Sequence, residues 1–395
     1  MNISRVLIVG NGIAGTTAAF TLREAGFAGQ ITLVGEEPWA AYYRPRLPEI
    51  LDEDVPLEKL MVVDAKKYEA RQITLKTGTR IVRVDPETHL AIASDNESFP
   101  YDALVLATGC KANIPPIPGA DFLKGIFSLR TLQDAKQIKE WAKGKKHAVC
   151  LGGGLLGLEN AYHLTQLGLT VDIIETMGRL LPRQLDARSA PILQAALEKK
   201  GMRFHLGCNA SRFLGKDGVA TTLEVEGRGP FPADLFIITV GILPRRDLID
   251  SLGGKCERGV IINENGQTSV PGIYAAGDHV QYKTQTWGTW LAARHWGIRV
   301  GQVLAGTAPD FALPPEIFRL KVTGIDLLSV GNTDLEGQTE ALGNSRSHVV
   351  NESPEMGQYL KFVEEKGTVI GAVLLGLPEK AREVEAAVKS RKPWS

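Results

Sequence analysis

The sequence predicts an α/β protein built from two nucleotide-binding halves, followed by a small α+β domain. Three observations carry this. Two glycine-rich turns, in VLIVGNGIAGTTAAF and VCLGGGLLGLENAY, each join an apolar strand to a small-residue helix; a carboxylate closes the next strand after each turn; and from about residue 310 the strands are punctuated by glycine without any such motif. A chain of 395 residues suffices for two or three domains that each bury a core. With 44% hydrophobic residues, 23% charged residues and a formal net charge of zero, the composition is that of an ordinary globular protein and carries no electrostatic footprint for nucleic acid.

In the first half the apolar run Val6 to Val9 ends at Gly10, Gly12 and Gly15, a Rossmann-like fingerprint in its required context. The first glycine permits the tight turn, the second lets backbone approach a pyrophosphate, and the third lets helix pack on strand. The helix N-terminus then offers amides and positive dipole to phosphate. The next strand, Gln30 to Val34, leads to Glu36 and Glu37, at the spacing where a carboxylate accepts hydrogen bonds from a ribose; Glu36 is the chosen acceptor. In the second half Gly152, Gly154 and Gly157 follow Ala148 to Leu151, and the strand Thr170 to Ile174 ends at Glu175. A carboxylate there binds a 2′-hydroxyl and repels a 2′-phosphate, which favours NADH over NADPH, although Arg179 and Arg183 nearby soften that preference. A single fingerprint also serves plain strand-helix packing. Two, each with an acidic strand end, point to two bound dinucleotides.

Between these motifs, residues 71 to 100 alternate apolar and polar and read as short antiparallel strands that lead into ALVLATG. A matching pattern follows the second half, in MRFHLGCNASRFLGKDGVATTLEVEGRGPFPADLFIITVG. The proline-dense KANIPPIPGADF marks a boundary near 113, and the composition shifts again after Gly241, at ILPRRDLID. GVIINENGQTSVPGIYAAGDHV returns to strand character and ends at Gly277 and Asp278, rejoining the first sheet. The expected domains are therefore 1–113 with 243–309, then 114–242, then 310–395, the last closed by a helix starting near Pro378 that buries Val384, Ala387 and Val388. The apolar run Val369 to Leu377 is interrupted by glycines and far short of the roughly 20 residues that a membrane helix needs. With no basic leader before the first strand, the expected location is the cytoplasm. Cys110, Cys150, Cys208 and Cys256 form no CxxC and no Cys/His cluster, so no metal site is expected and all four read as small semi-buried side chains.

With both fingerprints, ALVLATG, TVG and IYAAGD in this order, the chain resembles the pyridine nucleotide-disulfide oxidoreductase family, of the glutathione-reductase type, to about residue 375. YYRPRLPEIL, LRTLQDA, LKVTGIDLLSVG and VIGAVLLG are most similar to its NAD(P)H:rubredoxin oxidoreductases and to the flavin part of NADH-dependent nitrite reductases. The resemblance implies FAD at the first turn and NADH at the second. Gly10, Gly12, Ile13, Ala14 and Gly15 would cradle the FAD pyrophosphate and Glu36 the adenosine ribose. Arg44 and Pro45 would lie along the cofactor, Val82 would meet adenine through its main chain, Thr108 and Gly109 would line the pocket, and Arg130 would reach the FAD. Asp278, after Gly277, would hold the ribityl hydroxyls, with a plain turn aspartate as the alternative. Trp290, at the start of a helix aimed at the flavin, matches an aromatic position near the isoalloxazine; core packing is the alternative. Gly152, Gly154, Leu155, Leu156 and Gly157 would hold NADH, Glu175 its ribose, and Gly241 closes that site's last strand. Glu159 matches a carboxylate near the nicotinamide amide, with a first-turn residue complementing the helix dipole as the alternative.

Two departures from the family pattern stand out. Tyr42-Tyr43-Arg44-Pro45-Arg46 occupies the place of the redox-active cysteines, and without a thiol beside the flavin, electrons do not leave as a dithiol. Glu49 stands where ferredoxin reductase relatives carry a lysine paired with the nicotinamide-site glutamate; if it faces Glu159, each carboxylate raises the other's pKa. The implied activity is electron transfer from NADH through FAD to rubredoxin or an iron-sulfur partner subunit. The alternatives are an NADH oxidase forming hydrogen peroxide and a flavin subunit active only within a larger complex. Arg44, Arg46, Arg294 and Arg299 are the candidates for meeting an acidic partner.

Overall fold

The glycine-terminated apolar runs become the central strands of two parallel sheets. The computed structural model describes residues 3–333 and 345–392, and its backbone clusters into two units. One comprises Met1–Arg46, Val55–Lys111 and Ile242–Leu313; the other comprises Leu47–Asp54, Ala112–Gly241 and Pro314–Ser395.

In the first unit, β1 (Arg5–Val9), β2 (Gln30–Val34), β3 (Ile73–Lys76) and β4 (Ala103–Leu106) form a parallel sheet with the strand Ile273–Ala275. The order is Ile273–Ala275, β4, β1, β2, β3, so the fingerprint strand lies at the centre. Covered on both faces, β4 and, after Arg5, β1 run apolar without alternation, and Leu7, Ile8, Leu104 and Val105 are fully buried. As the sequence indicated, the segment ending at Gly277 returns to this sheet. One expectation is corrected. Of the stretch 71 to 100, Ile81–Asp85, Leu90–Ala93 and Ser98–Pro100 do form an antiparallel meander, but β3 is a parallel strand paired with β2. At the sheet edge β3 buries only one face, and its resulting alternation is indistinguishable in sequence from that of an antiparallel strand.

The helix α1 (Ile13–Glu24) follows the turn, and the later helix Trp290–Leu304 lies directly on it. A Cβ at Gly297 would sit 2.4 Å from the Ala14 carbonyl oxygen, and one at Gly301 2.7 Å from that of Ala18, so the two backbones meet only because both positions are glycine. Trp296, fully buried, anchors the same helix in the core.

The second unit repeats the plan with β5 (His147–Leu151), α2 (Leu155–Gln166), β6 (Thr170–Glu175), β7 (Met202–Leu206) and β8 (Leu235–Ile238). Its parallel order is β7, β6, β5, β8, Ile126–Phe127. A three-stranded meander, Ala210–Lys216, Val219–Val225 and Gly229–Pro232, follows as in the first unit, but β7, which opens the stretch expected to match the first meander, is corrected to a parallel edge strand paired with β6. Five antiparallel strands come next, in the order Ile317–Val322, Ile325–Gly331, Thr368–Leu375, Gln358–Glu365, Ser345–Ser353. The helix Ala381–Ser390 closes them, burying Val384 and Val388 fully and Ala387 partly. A buried polar knot fastens this sheet to the second nucleotide half. Asp186 accepts from the Tyr359 hydroxyl and the Lys361 ammonium, both at 2.9 Å, and from Ser189 through its backbone N–H and hydroxyl, both at 2.8 Å. Among the described residues no helix is long and apolar enough to cross a membrane.

Candidate functional site: two dinucleotide cradles

At the carboxyl end of β1 each fingerprint glycine meets a different constraint. Gly10 has φ +110°, and a Cβ there would lie 2.2 Å from the Ala107 carbonyl oxygen; at Gly15 it would lie 1.9 Å from that of Gly10. At Gly12, the N-cap of α1, no atom lies within 4 Å of an added Cβ, and no side chain caps the helix. The outer glycines thus let the turn close and the helix approach, while the middle one faces space with unsatisfied helix amides beside it. Ile13 and Ala14 begin the helix that presents those amides.

The second turn reproduces this atom for atom. Gly152 (φ +107°) would meet Thr239 O at 2.7 Å, Gly157 would meet Gly152 O at 2.0 Å, and Gly154, an uncapped N-cap, meets nothing within 4 Å. Leu155 and Leu156 open α2 half-buried. A turn serving packing alone would have no use for a clear middle position, so both turns fit a pyrophosphate.

The acidic strand ends differ. Glu36 remains partly exposed and holds Arg245 at 2.5 Å and Arg80 at 3.7 Å. Its neighbour Glu37 turns the other way, to the Tyr42 hydroxyl at 2.6 Å and Arg44 at 2.5 Å. Glu175 is buried and accepts from the backbone N–H of Gly153 (2.6 Å) and of Met177 (2.7 Å) and from the Thr176 hydroxyl (3.1 Å). It therefore also braces the second turn, a duty that its sequence position does not reveal.

The other residues assigned to the first site gather in the first unit. Thr108 and Gly109 leave the end of β4, Gly277 (φ +115°) and half-buried Asp278 leave the end of Ile273–Ala275, and Val82 is exposed on the meander. Arg44 opens the 3-10 helix Arg44–Leu51, followed by Pro45; its charge is opposed by burial but favoured on balance by Tyr42, Glu37 and Asp278. Trp290 stacks on Tyr43 with ring centroids 5.0 Å apart and remains partly exposed, so it is not a core residue. Arg130 and Gly241 fall in the second unit with Glu49 and Glu159. Arg299 leaves the docking candidates: it is buried and donates to Glu264 O and Asn265 Oδ1, both at 2.8 Å. An amphipathic helix reading does not distinguish an arginine that clamps loops from one that faces water.

Glu159 lies beyond the first turn of α2, which rules out simple dipole complementation. It is 7% exposed, and its Oε1 accepts the Lys321 backbone N–H at 3.0 Å. Burial pushes its carboxyl up to about 7; Lys321 opposes this, and the charge of Glu49 adds to it. One helical turn on, His163 Nδ1 meets Asp52 Oδ1 at 2.7 Å, and Lys139 donates to Glu53 O at 2.7 Å, so Leu47–Asp54 is pinned within the second unit. Asp52, His163 and Arg245 escaped the sequence reading because none belongs to a spaced motif.

The cysteines are all free thiols, three buried and Cys256 partly so. Burial pushes Cys150 up to about 12 and Cys256 up to about 11. Among the described residues no cluster of three metal-ligating side chains occurs.

Two glycine cradles at the carboxyl ends of two parallel sheets, carried on one chain, define a protein of the two-dinucleotide-binding class. The chain belongs to the pyridine nucleotide-disulphide oxidoreductase family, which matches residues 4–297, and the rubredoxin NAD+ reductase C-terminal domain matches residues 317–392. FAD and NAD(H) are the cofactors of this family. The chain is 34% identical to a nitrite reductase [NAD(P)H] of Bacillus subtilis (strain 168), over 95% of this chain and 46% of that protein. It is 28% identical to a rubredoxin-NAD(+) reductase of Pseudomonas putida, over 97% and 99% respectively. The solved covalent putidaredoxin reductase-putidaredoxin complex contains a chain of the same fold, with TM-score 0.88 and 26% identity, covering 99% of this chain and 94% of that one. The chain thus spans about half the length of the nitrite reductase and nearly all of the rubredoxin reductase.

Proposed function

We propose that this protein is an NADH-dependent flavoprotein that passes electrons from NADH through FAD to a small redox protein, a rubredoxin or an iron-sulfur partner. The observation that carries the reading is the duplicated cradle, each turn with its middle glycine clear and its helix uncapped. The first turn would hold FAD, with Glu36 and Asp278 toward its hydroxyls, and the second NADH, beside Glu175 and Glu159. When bound, NADH would supply a hydride and FAD would let that electron pair leave one electron at a time. The chain's own residues position and tune. The amides after Gly12 and Gly154 hold phosphate, Arg44 places positive charge beside Asp278, and the Tyr43–Trp290 pair provides an aromatic wall. Where disulfide reductases place a thiol this chain has Tyr42 and Tyr43, which supports exit of electrons to an external acceptor.

The half-length match to the nitrite reductase favours a second reading, in which the chain acts as the electron-input part of a larger assembly. For location we propose the cytoplasm, the compartment that supplies NADH and keeps four free thiols reduced. Anaerobic mixing of purified protein with NADH or NADPH, followed by rubredoxin, ferredoxin or oxygen while flavin absorbance is recorded, tests the proposal. NADH should bleach the flavin, and rubredoxin or ferredoxin should restore its colour faster than oxygen does. A protein without flavin, or a flavin that NADH leaves oxidised, overturns it; faster reoxidation by oxygen replaces it with an oxidase.

A further inference from the structure

The tandem arginines of ILPRRDLID belong to no nucleotide motif, and the structure sends them in different directions. Arg246 meets the Glu257 carbonyl and Asp250. Arg245 is fastened at both ends across the first cradle. Its backbone N–H donates to Gly109 O at 3.0 Å, and its carbonyl accepts from the Thr108 hydroxyl at 3.3 Å, which sets its main chain just past the carboxyl end of β4. Its guanidinium Nη1 lies 2.5 Å from Glu36 Oε2, just past the carboxyl end of β2. The sheet order places β1 between those two strands. With neighbouring strands about 4.8 Å apart, the side chain must cross the carboxyl end of β1, where Gly10 and Gly12 open the turn.

We propose that Arg245 is a binding residue of the first dinucleotide site and straps the adenosine half of the nucleotide against the Gly10–Gly15 turn, an inference that rests on reading that turn as the FAD site. The chemistry suits the task. A guanidinium offers five donors, so one edge can hold Glu36 while others meet phosphate or ribose oxygen; the Glu36 carboxylate likewise has lone pairs for both the guanidinium and a ribose hydroxyl. Arg80, at 3.7 Å from the other Glu36 oxygen, steadies the carboxylate from the meander side. The pair is 38% and 44% exposed, and an ion pair so open contributes little by itself. A nucleotide under the strap would exclude water and strengthen both contacts, so the benefit is read in cofactor retention and not in folding.

The test is the rate at which purified flavin-loaded protein releases FAD, followed by the rise of free-flavin fluorescence at low and high salt. Arg245→Ala should release FAD about tenfold faster than wild type at low salt, with a smaller difference at high salt. Arg245→Lys should recover part of the loss, and Arg245→Ala combined with Glu36→Gln should be no faster than the faster single variant. NADH affinity at the second site, measured alongside, should stay unchanged. Equal release rates for wild type and Arg245→Ala, both carrying flavin, overturn the strap alone. A wild-type protein that neither carries nor takes up FAD overturns the site assignment and the strap together.

Discussion

Glu159 shows how far a single residue was legible. Its place after the second fingerprint marks it, and Glu49 is marked by its departure from the family lysine; neither position reveals that the carboxyl is buried and accepts the Lys321 backbone N–H. The consequence is a sign-definite pH dependence. The carboxyl's pKa rises from its ordinary 4.5 to about 7 in the fold, so between those values the folded protein holds a proton that the unfolded chain has lost. Stability therefore falls as pH rises through that window, by roughly 3 kcal/mol once the shift is complete. Glu159→Gln keeps an oxygen for the Lys321 N–H without the charge. In urea unfolding at pH 5 and pH 8, its advantage over wild type should grow by about that amount; an equal difference at both pH values would refute the assignment. Arg299 is the opposite case, because a side chain buried against carbonyls and one facing solvent occupy the same positions of an amphipathic pattern.

At the scale of elements, the two fingerprint strands and the helices that follow them are readable because local sequence dictates them: an apolar run, then the glycine turn, then a helix start. β3 pairs in parallel with β2 and not within the meander, because an edge strand of a parallel sheet alternates just as an antiparallel one does. Nothing local announces the knot at Asp186, whose partners lie up to 175 residues away in sequence. Burial opposes its negative charge, but the donors from Ser189 and Lys361 more than offset that and hold the carboxyl down at about 2. That contribution is present above its ordinary 3.8 and is lost as pH falls toward 2. Because Lys361 is only 5% exposed, Asp186→Asn removes the carboxylate partner of a buried ammonium and should cost about 3–5 kcal/mol in urea unfolding near neutral pH. Adding Lys361→Met should restore most of it; a single variant within 1 kcal/mol of wild type would show that the knot is dispensable.

For the whole molecule, the two cradles predict separable defects. An alanine at Gly12 or Gly154 meets no protein atom within 4 Å, so either variant should fold while obstructing only its own nucleotide. Gly12→Ala should yield a flavin-poor protein, whereas Gly154→Ala should keep its flavin but lose bleaching by NADH, with Kd raised about tenfold or more as the pyrophosphate is pushed off the helix amides. Absorbance spectra and an anaerobic NADH titration check both, and loss of flavin in Gly154→Ala would upset the division of labour. By itself the sequence determined the two cradles, the α/β class and the family, because a strand, a glycine turn and a helix start are properties of neighbouring residues. Only the tertiary structure decided that Glu175 braces its own turn, that Arg245 crosses the first cradle to Glu36, and that Glu159 is starved of solvent. Those outcomes depend on which distant residues share a dielectric and a hydrogen bond, and no spacing along the chain encodes them.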